Sequence, residues 1–193
     1  MGGLESVQCP KCKNSELRSG ILSSHLAVED CEECKGTWIP AENYMNWQSH
    51  QPQISQNKIR FADTLNVDYV QSPYDTKGAL CPECRRYLSR AKVMLENPFY
   101  VERCANCQGV WCDHGEWDVL ETLGLHTTID QLFSAEWQTQ ARQLQQISKE
   151  RQATIDKLGG ELAKLVFEVG EKLKEHPNGD FGVAYLMRQI SEP

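Results

Sequence analysis

The chain has 193 residues, 40% of them hydrophobic, with 20 Lys and Arg against 27 Asp and Glu for a formal charge of -7. That is room for one or two small domains, with no run of about 18 apolar residues to cross a membrane and no surplus of positive charge for general binding to phosphate backbones. The start, Met1-Gly-Gly-Leu-Glu-Ser-Val7, lacks the basic-then-apolar order of a secretory signal, and its match to the loose lipidation pattern at Gly2 reads as chance, so a soluble cytoplasmic protein is expected.

In chain order, the first feature is Cys9-Pro-Lys-Cys12. Expected strands Leu17–Leu22 and Leu26–Asp30 follow, then Cys31-Glu-Glu-Cys34-Lys-Gly-Thr-Trp38. Residues 48–80 are polar and read as a connector, except that Val67-Asp-Tyr-Val70 alternates like a strand that packs on what comes next. Then come Cys81-Pro-Glu-Cys84, expected strands Tyr87–Leu95 and Phe99–Arg103 joined at Asn97-Pro98, and Cys104-Ala-Asn-Cys107-Gln-Gly-Val-Trp111. The second set repeats the first at an offset of 72 to 73 residues, down to the proline, glycine and tryptophan, which marks a duplication.

Asp113-His-Gly-Glu116 has the form of a capping box and predicts a short helix over about 114–123, with Trp117, Leu120 and Leu123 on one side. Thr128-Ile-Asp-Gln131 predicts a second helix start. From there Ile129, Leu132, Phe133, Trp137, Ala141, Leu144, Ile147 and Ile155 approximate one helical face. Gly159-Gly160 interrupts it. Leu162, Leu165, Val166, Val169 and Leu173 form a second amphipathic run up to His176-Pro-Asn-Gly179, and Phe181, Ala184, Tyr185 and Met187 belong to a last short helix. Sustained heptads are missing, so a helical hairpin packed on itself is favoured over a coiled coil, with a helix presented to a partner as the sharper alternative.

Eight of the nine cysteines fall into four Cys-x-x-Cys pairs. A disulfide framework suits secreted chains, and a thioredoxin-type dithiol needs a βαβ setting that is not seen here. Four thiolates satisfy a tetrahedral structural Zn²⁺. A repeat of about 40 residues cannot bury enough surface to fold alone, and zinc supplies roughly 10–16 kcal/mol in small finger peptides. Two Zn²⁺ per chain are expected, one on Cys9, Cys12, Cys31 and Cys34 and one on Cys81, Cys84, Cys104 and Cys107. Ligands within each repeat are favoured over pairs crossed between repeats, and iron stays open because spacing alone does not choose the metal. Gly36 and Gly109 sit where the turn needs a positive φ or an open path for N–H groups toward sulfur. Trp38 and Trp111 are each expected over their own metal turn. Cys112 occupies the slot that is Ile39 in the first repeat, so a buried apolar role is expected, with a spare ligand or redox thiol as the alternative. His114 is expected in a solvated loop.

Cys-Pro-x-Cys, a hairpin, then Cys-x-x-Cys-x-Gly-x-Trp-x-Asp-x-Gly-Glu resembles the transcription-factor-IIB-type zinc-ribbon family, labelled "transcription factor zinc-finger", in two copies. The second copy carries Cys104, Cys107, Gly109, Trp111, Asp113, Gly115 and Glu116. The first keeps its cysteines, Gly36 and Trp38, then departs as Ile39-Pro-Ala-Glu-Asn43, so its following helix is expected to be shorter or differently capped. The resemblance implies zinc-ribbon folds and, by its label, transcription or nucleic-acid work, although a fold does not supply a function. The fold class expected is α+β, small and metal-stabilised. It places ribbon one at 1–50, a connector at 51–73, ribbon two with its short helix at 74–126 and a helical region at 127–193.

Function follows by elimination and charge. A zinc ion held by four cysteines has no open position for substrate, and no phosphate-cradling loop or nucleophile elbow is present, so no enzyme is expected. Eight thiolates lose eight charges and two Zn²⁺ return four, taking the chain to about -11. Arg86, Arg90 and Lys92 would share one face of a strand as a patch for phosphate or an acidic partner. The leading expectation is a non-enzymatic zinc-binding module that acts by binding a protein in assembly or regulation, with a link to transcription. The alternatives are a nucleic-acid-binding regulator using the basic hairpin and a thiol- or metal-responsive redox protein. The oligomeric state is left open.

Overall fold

The computed structural model describes residues 7–52, 69–95 and 97–191. Gly2 and most of the polar connector, including Val67 and Asp68 of the alternating run, lie outside the described residues. Tyr69 and Val70 are in no strand, but the Tyr69 ring packs on Phe99 with centroids 4.9 Å apart, tying the end of the connector to the second repeat.

Each repeat makes a hairpin from its β-branched and apolar runs. Strand β1 (Leu17–Leu22) pairs antiparallel with β2 (Leu26–Cys31) from Leu17 opposite Cys31 to Leu22 opposite Leu26, around a 3-10 turn at Ser23–His25. After it come β3 (Thr37–Ile39) and α1 (Ala41–Ser49). In the second repeat β4 (Leu88–Val93) pairs with β5 (Phe99–Cys104), followed by β6 (Val110–Cys112) and α2 (Glu116–Thr122). The Tyr87 end of the expected strand shrinks to an isolated bridge with Leu80. The two hairpins merge into a single sheet of order β1-β2-β3-β6-β5-β4, because β3 and β6 pair antiparallel with Trp38 directly opposite Trp111. The result is α+β, with antiparallel hairpins at two cysteine clusters and a helical C-terminal region.

A hydrophobic core lies between the sheet and the helices that follow each repeat. Trp47 of α1 meets Trp117 of α2 edge-on at 5.7 Å, and His126 stands 5.7 and 6.0 Å from the two indoles. Burial holds His126 below its usual pKa. Tyr44 Oη donates to the His126 carbonyl at 2.8 Å and accepts Ile129 N–H at 3.2 Å. Gln48 Nε2 donates to the Thr127 carbonyl at 2.6 Å, so the helix of repeat one is stitched to the segment after repeat two.

Helix starts depart from the sequence pattern. The Asp113–Glu116 box is half-formed: Glu116 Oε2 accepts Asp113 N–H at 2.8 Å, but Gly115, at φ 80°, precedes the helix and no side chain caps it. The Asp113 carboxylate is used elsewhere, as shown below. Helix α1 is the longer of the two and begins after Pro40. The helix expected from Thr128 divides into α3 (Ile129–Leu132) and α4 (Ala135–Leu158). Thr128 does not cap, while Ser134 Oγ accepts Trp137 N–H at 3.1 Å at the head of α4. Trp137 Nε1 donates to the Lys92 carbonyl at 3.2 Å, which covers the β4 edge.

The chain forms two compact units, residues 1–142 and 143–193. The first holds the sheet, α1–α3 and the head of α4. In the second, the tail of α4 lies along α5 (Gly160–Glu175), with Arg151 over the Phe167 ring at 4.1 Å and 3.6 Å from Glu171. Helix α6 (Gly179–Ser191) meets α5 through Gly179 and Gly182, where a Cβ would strike Leu173. Among the described residues no helix is long and apolar enough to cross a membrane.

Candidate metal centres

Two tight turns in each repeat present the sulfurs. The residue after the second cysteine of every pair takes a left-handed conformation: Lys13 (φ 60°), Lys35 (φ 58°), Arg85 (φ 62°) and Gln108 (φ 65°). This turns the chain back over the cysteines so that amides face sulfur. Cys34 N–H donates to Cys31 Sγ and Cys84 N–H to Cys81 Sγ, both at 3.4 Å, and Asn106 and Cys107 N–H donate to Cys104 Sγ at 3.4 and 3.5 Å. Ser15 Oγ lies 2.9 Å from Cys31 Sγ.

The hairpins close the turns into two clusters, Cys9, Cys12, Cys31 and Cys34, and Cys81, Cys84, Cys104 and Cys107, each with four sulfurs within 4.8 Å of one another. Across the hairpins Cys9–Cys34 and Cys12–Cys31 are 3.6 and 3.5 Å apart, and Cys81–Cys107 and Cys84–Cys104 are 3.3 and 3.4 Å. These gaps exceed the disulfide length of about 2.05 Å and approach the roughly 3.8 Å between sulfurs around a tetrahedral ion with 2.3 Å bonds. Each cluster contains a thiol already biased toward thiolate. The hydrogen bond from Cys34, against the effect of burial, brings Cys9 down to about 5. At Cys104 burial pushes upward, but the amides of Cys107 and Asn106 bring it to about 7. The donor set, spacing and amide shell fit a structural metal ion in each repeat.

Gly36 and Gly109 serve differently from the expectation of a positive φ, which falls one residue earlier at Lys35 and Gln108. The shared hydrogen bond with Cys9 and burial raise the Cys34 thiol, and burial raises that of Cys107, and the Gly36 and Gly109 N–H groups offset only part of this. Their lack of a side chain answers to another contact. A Cβ on Gly36 would run into the six-membered ring of Trp111, and a Cβ on Gly109 into that of Trp38. The tryptophans are therefore exchanged: each covers the metal turn of the other repeat, not its own. The pairing of Trp38 opposite Trp111 at the β3–β6 seam places each indole beyond its own hairpin. Trp38 Nε1 donates to Glu83 of the second repeat at 3.0 Å, while Trp111 Nε1 donates to Asp113 Oδ1 at 2.7 Å. Pro40, which stands where the second repeat has Asp113, leaves Trp38 to find its acceptor across the seam.

A buried ionic network reinforces the same seam, and no sequence pattern announces it. Lys11, inside the first cysteine pair, has a fully buried side chain, and its Nζ donates to Glu102 Oε1 at 2.6 Å and to the Lys77 carbonyl at 2.8 Å, 3.6 Å from Asp113 Oδ2. Arg90 Nε stands 3.3 Å from Glu102 and its guanidinium 3.7 Å from Asp75. Asp75 Oδ1 accepts Tyr100 N–H at 2.8 Å. Burial raises Glu102 to about 7 despite Lys11, and lifts Asp113 and Glu116 above the ordinary carboxylate range. Lys11→Met should destabilise the protein by about 3–5 kcal/mol, since it leaves buried Asp113 without a cation and Glu102 with Arg90 alone; denaturant unfolding of the metal-loaded protein measures it. Glu116→Gln acts oppositely. The raised pKa of Glu116 means that folding favours its neutral form, so its contribution is full at low pH and is lost as pH rises above the usual carboxylate value. The stability difference between Glu116→Gln and the parent should therefore move steadily in favour of Gln as pH rises above the usual carboxylate value, read by denaturant titration at each pH.

The network also decides the basic strand. Arg86 is exposed outside β4, Arg90 turns inward to Asp75 and Glu102 and stacks 4.1 Å over Tyr100, and Lys92 stands 5.7 Å from the same ring. The three do not form a free basic face. Cys112 is 1% exposed within the core, where burial raises its thiol well above the usual value, and His114 is exposed.

Residues 8–49 match the family described as "Transcription factor zinc-finger". No curated protein and no solved structure matches the chain. Residues 8–49 are thus similar to the zinc ribbon that this family describes, and the second four-cysteine cluster, at 81–107, is consistent with a second copy.

Proposed function

We propose that this is a non-enzymatic protein whose two four-cysteine clusters each hold a structural Zn²⁺, and whose ribbon unit serves as a rigid platform for binding another protein in an assembly or regulatory complex. The observation that carries the reading is the exchange of Trp38 and Trp111 over Gly109 and Gly36. It makes the two metal turns halves of one body, built for shape and not for an open coordination site. Four thiolates complete a tetrahedral zinc and leave no position for substrate. A protein partner is favoured over nucleic acid because the chain carries -7 and Arg90 is engaged with Asp75 and Glu102. A thiol-sensing role is disfavoured by the burial of Cys112.

Metal analysis of the purified chain should return two zinc per chain and no iron. Nucleic acid titrated at low and moderate salt should give no salt-dependent binding, and crosslinking to the metal-loaded chain should recover a protein that the chelated chain does not. Iron in the clusters, or binding that weakens steeply with salt, would overturn the respective part.

A further inference from the structure

The second unit displays an apolar surface too large to be left in water. On α5, Leu162, Leu165, Val166 and Val169 recur at the spacing of one helical face and are all exposed. On α6, Phe181, Val183, Tyr185, Leu186, Met187 and Ile190 are exposed as well, and they surround the helix rather than line one side of it. A helix apolar on nearly all sides belongs inside a bundle. Yet among the described residues of α6 only Gly179 and Gly182, which meet Leu173, are not exposed, and residues 183–190 are all exposed. Thirteen residues are too few for a stable helix in water without such packing.

We infer that α5 and α6 pair with the same helices of a second copy of this chain, forming a two-fold symmetric helical interface. Two observations choose this occupant. The ten side chains, each 42% exposed or more, together present on the order of 900 Å², close to the about 800 Å² per partner of a stable interface, and because those of α6 surround it, only a bundle that encloses α6 covers them. Their surroundings are also electrically balanced. Glu161, Glu168, Glu171, Glu175 and Asp180 stand against Lys164, Lys172, Lys174 and Arg188, so a self-complementary contact brings little like-charge repulsion despite the chain's overall -7. A lipid surface would call for a basic flank, which is missing here. The pairing goes beyond the metal reading and stands on the second unit alone.

Sedimentation of the full metal-loaded chain should give twice the 22.0 kDa chain mass at micromolar concentration. Leu165 and Ile190 are 58% and 82% exposed, so Leu165→Glu and Ile190→Glu leave the fold of the single chain intact. Each should weaken the dimer by about tenfold or more with metal content and near-ultraviolet circular dichroism unchanged. A wild-type chain that stays monomeric to high micromolar concentration, variants that dimerise as well as the parent, or a monomer that instead sediments with phosphatidylcholine–phosphatidylserine vesicles would each overturn the inference.

Discussion

Cys104→Ser should empty both metal sites, not one. The substituted cluster loses a thiolate that the Asn106 and Cys107 amides hold ready, and with it much of the roughly 10–16 kcal/mol that a structural zinc contributes. When that turn loosens, Gly109 no longer covers Trp38, and β6 no longer pairs with β3. An indole stripped of its packing is worth about 3–5 kcal/mol, which falls on the first repeat although none of its ligands has changed. Lys11 loses Glu102 at the same time. Metal content should fall well below one equivalent per chain, together with the near-ultraviolet signal of all the buried tryptophans. Independent ribbons would instead keep one ion, and a variant that retains one equivalent with the Trp38 environment intact would show that the repeats fold separately.

Gly36→Ala and Trp111→Ala should be strongly coupled although they lie in different repeats. Alone, Gly36→Ala forces a methyl into the Trp111 ring and should destabilise by about 1–3 kcal/mol. Trp111→Ala empties the site above Gly36 and should destabilise by about 3–5 kcal/mol. Together the methyl occupies space that the indole has vacated, so the double variant should be more stable than the sum of the two by about 0.5–3 kcal/mol. Gly36→Ala combined with Trp38→Ala gives no such relief, since Trp38 covers Gly109. Denaturant midpoints of the three single and two double variants, all metal-loaded, decide the matter. A larger coupling within the repeat than between repeats would mean that each tryptophan covers its own turn.

Much of this architecture is legible in one dimension. Four Cys-x-x-Cys pairs separated by strand-length apolar runs predict both hairpins, and β1 has the predicted bounds because the cysteine turn before it and the Ser23–His25 turn after it set its register locally. The Gly159-Gly160 break falls between α4 and α5, because a glycine at φ 77° ends a helix wherever the rest of the chain lies. Asp113 shows the opposite behaviour. Its sequence context says helix cap, but the indole of Trp111 and the ammonium of Lys11 take the carboxylate, since a buried donor left unpaired costs more than a half-formed cap. Arg90 likewise reads as surface charge on an alternating strand until Glu102, buried opposite, requires a cation.

The amino-acid order by itself determined the duplication, the two sets of four thiolates, the hairpins and the succession of helices, because each depends on contacts between near neighbours or on backbone geometry at single residues. Only the tertiary structure decided which tryptophan covers which glycine and which carboxylates receive Lys11. Glycine and tryptophan recur at the same spacing in both copies, so covering one's own turn and covering the other's satisfy the same pattern. The antiparallel seam of β3 and β6 breaks that tie, by carrying each indole past its own hairpin and onto its neighbour's.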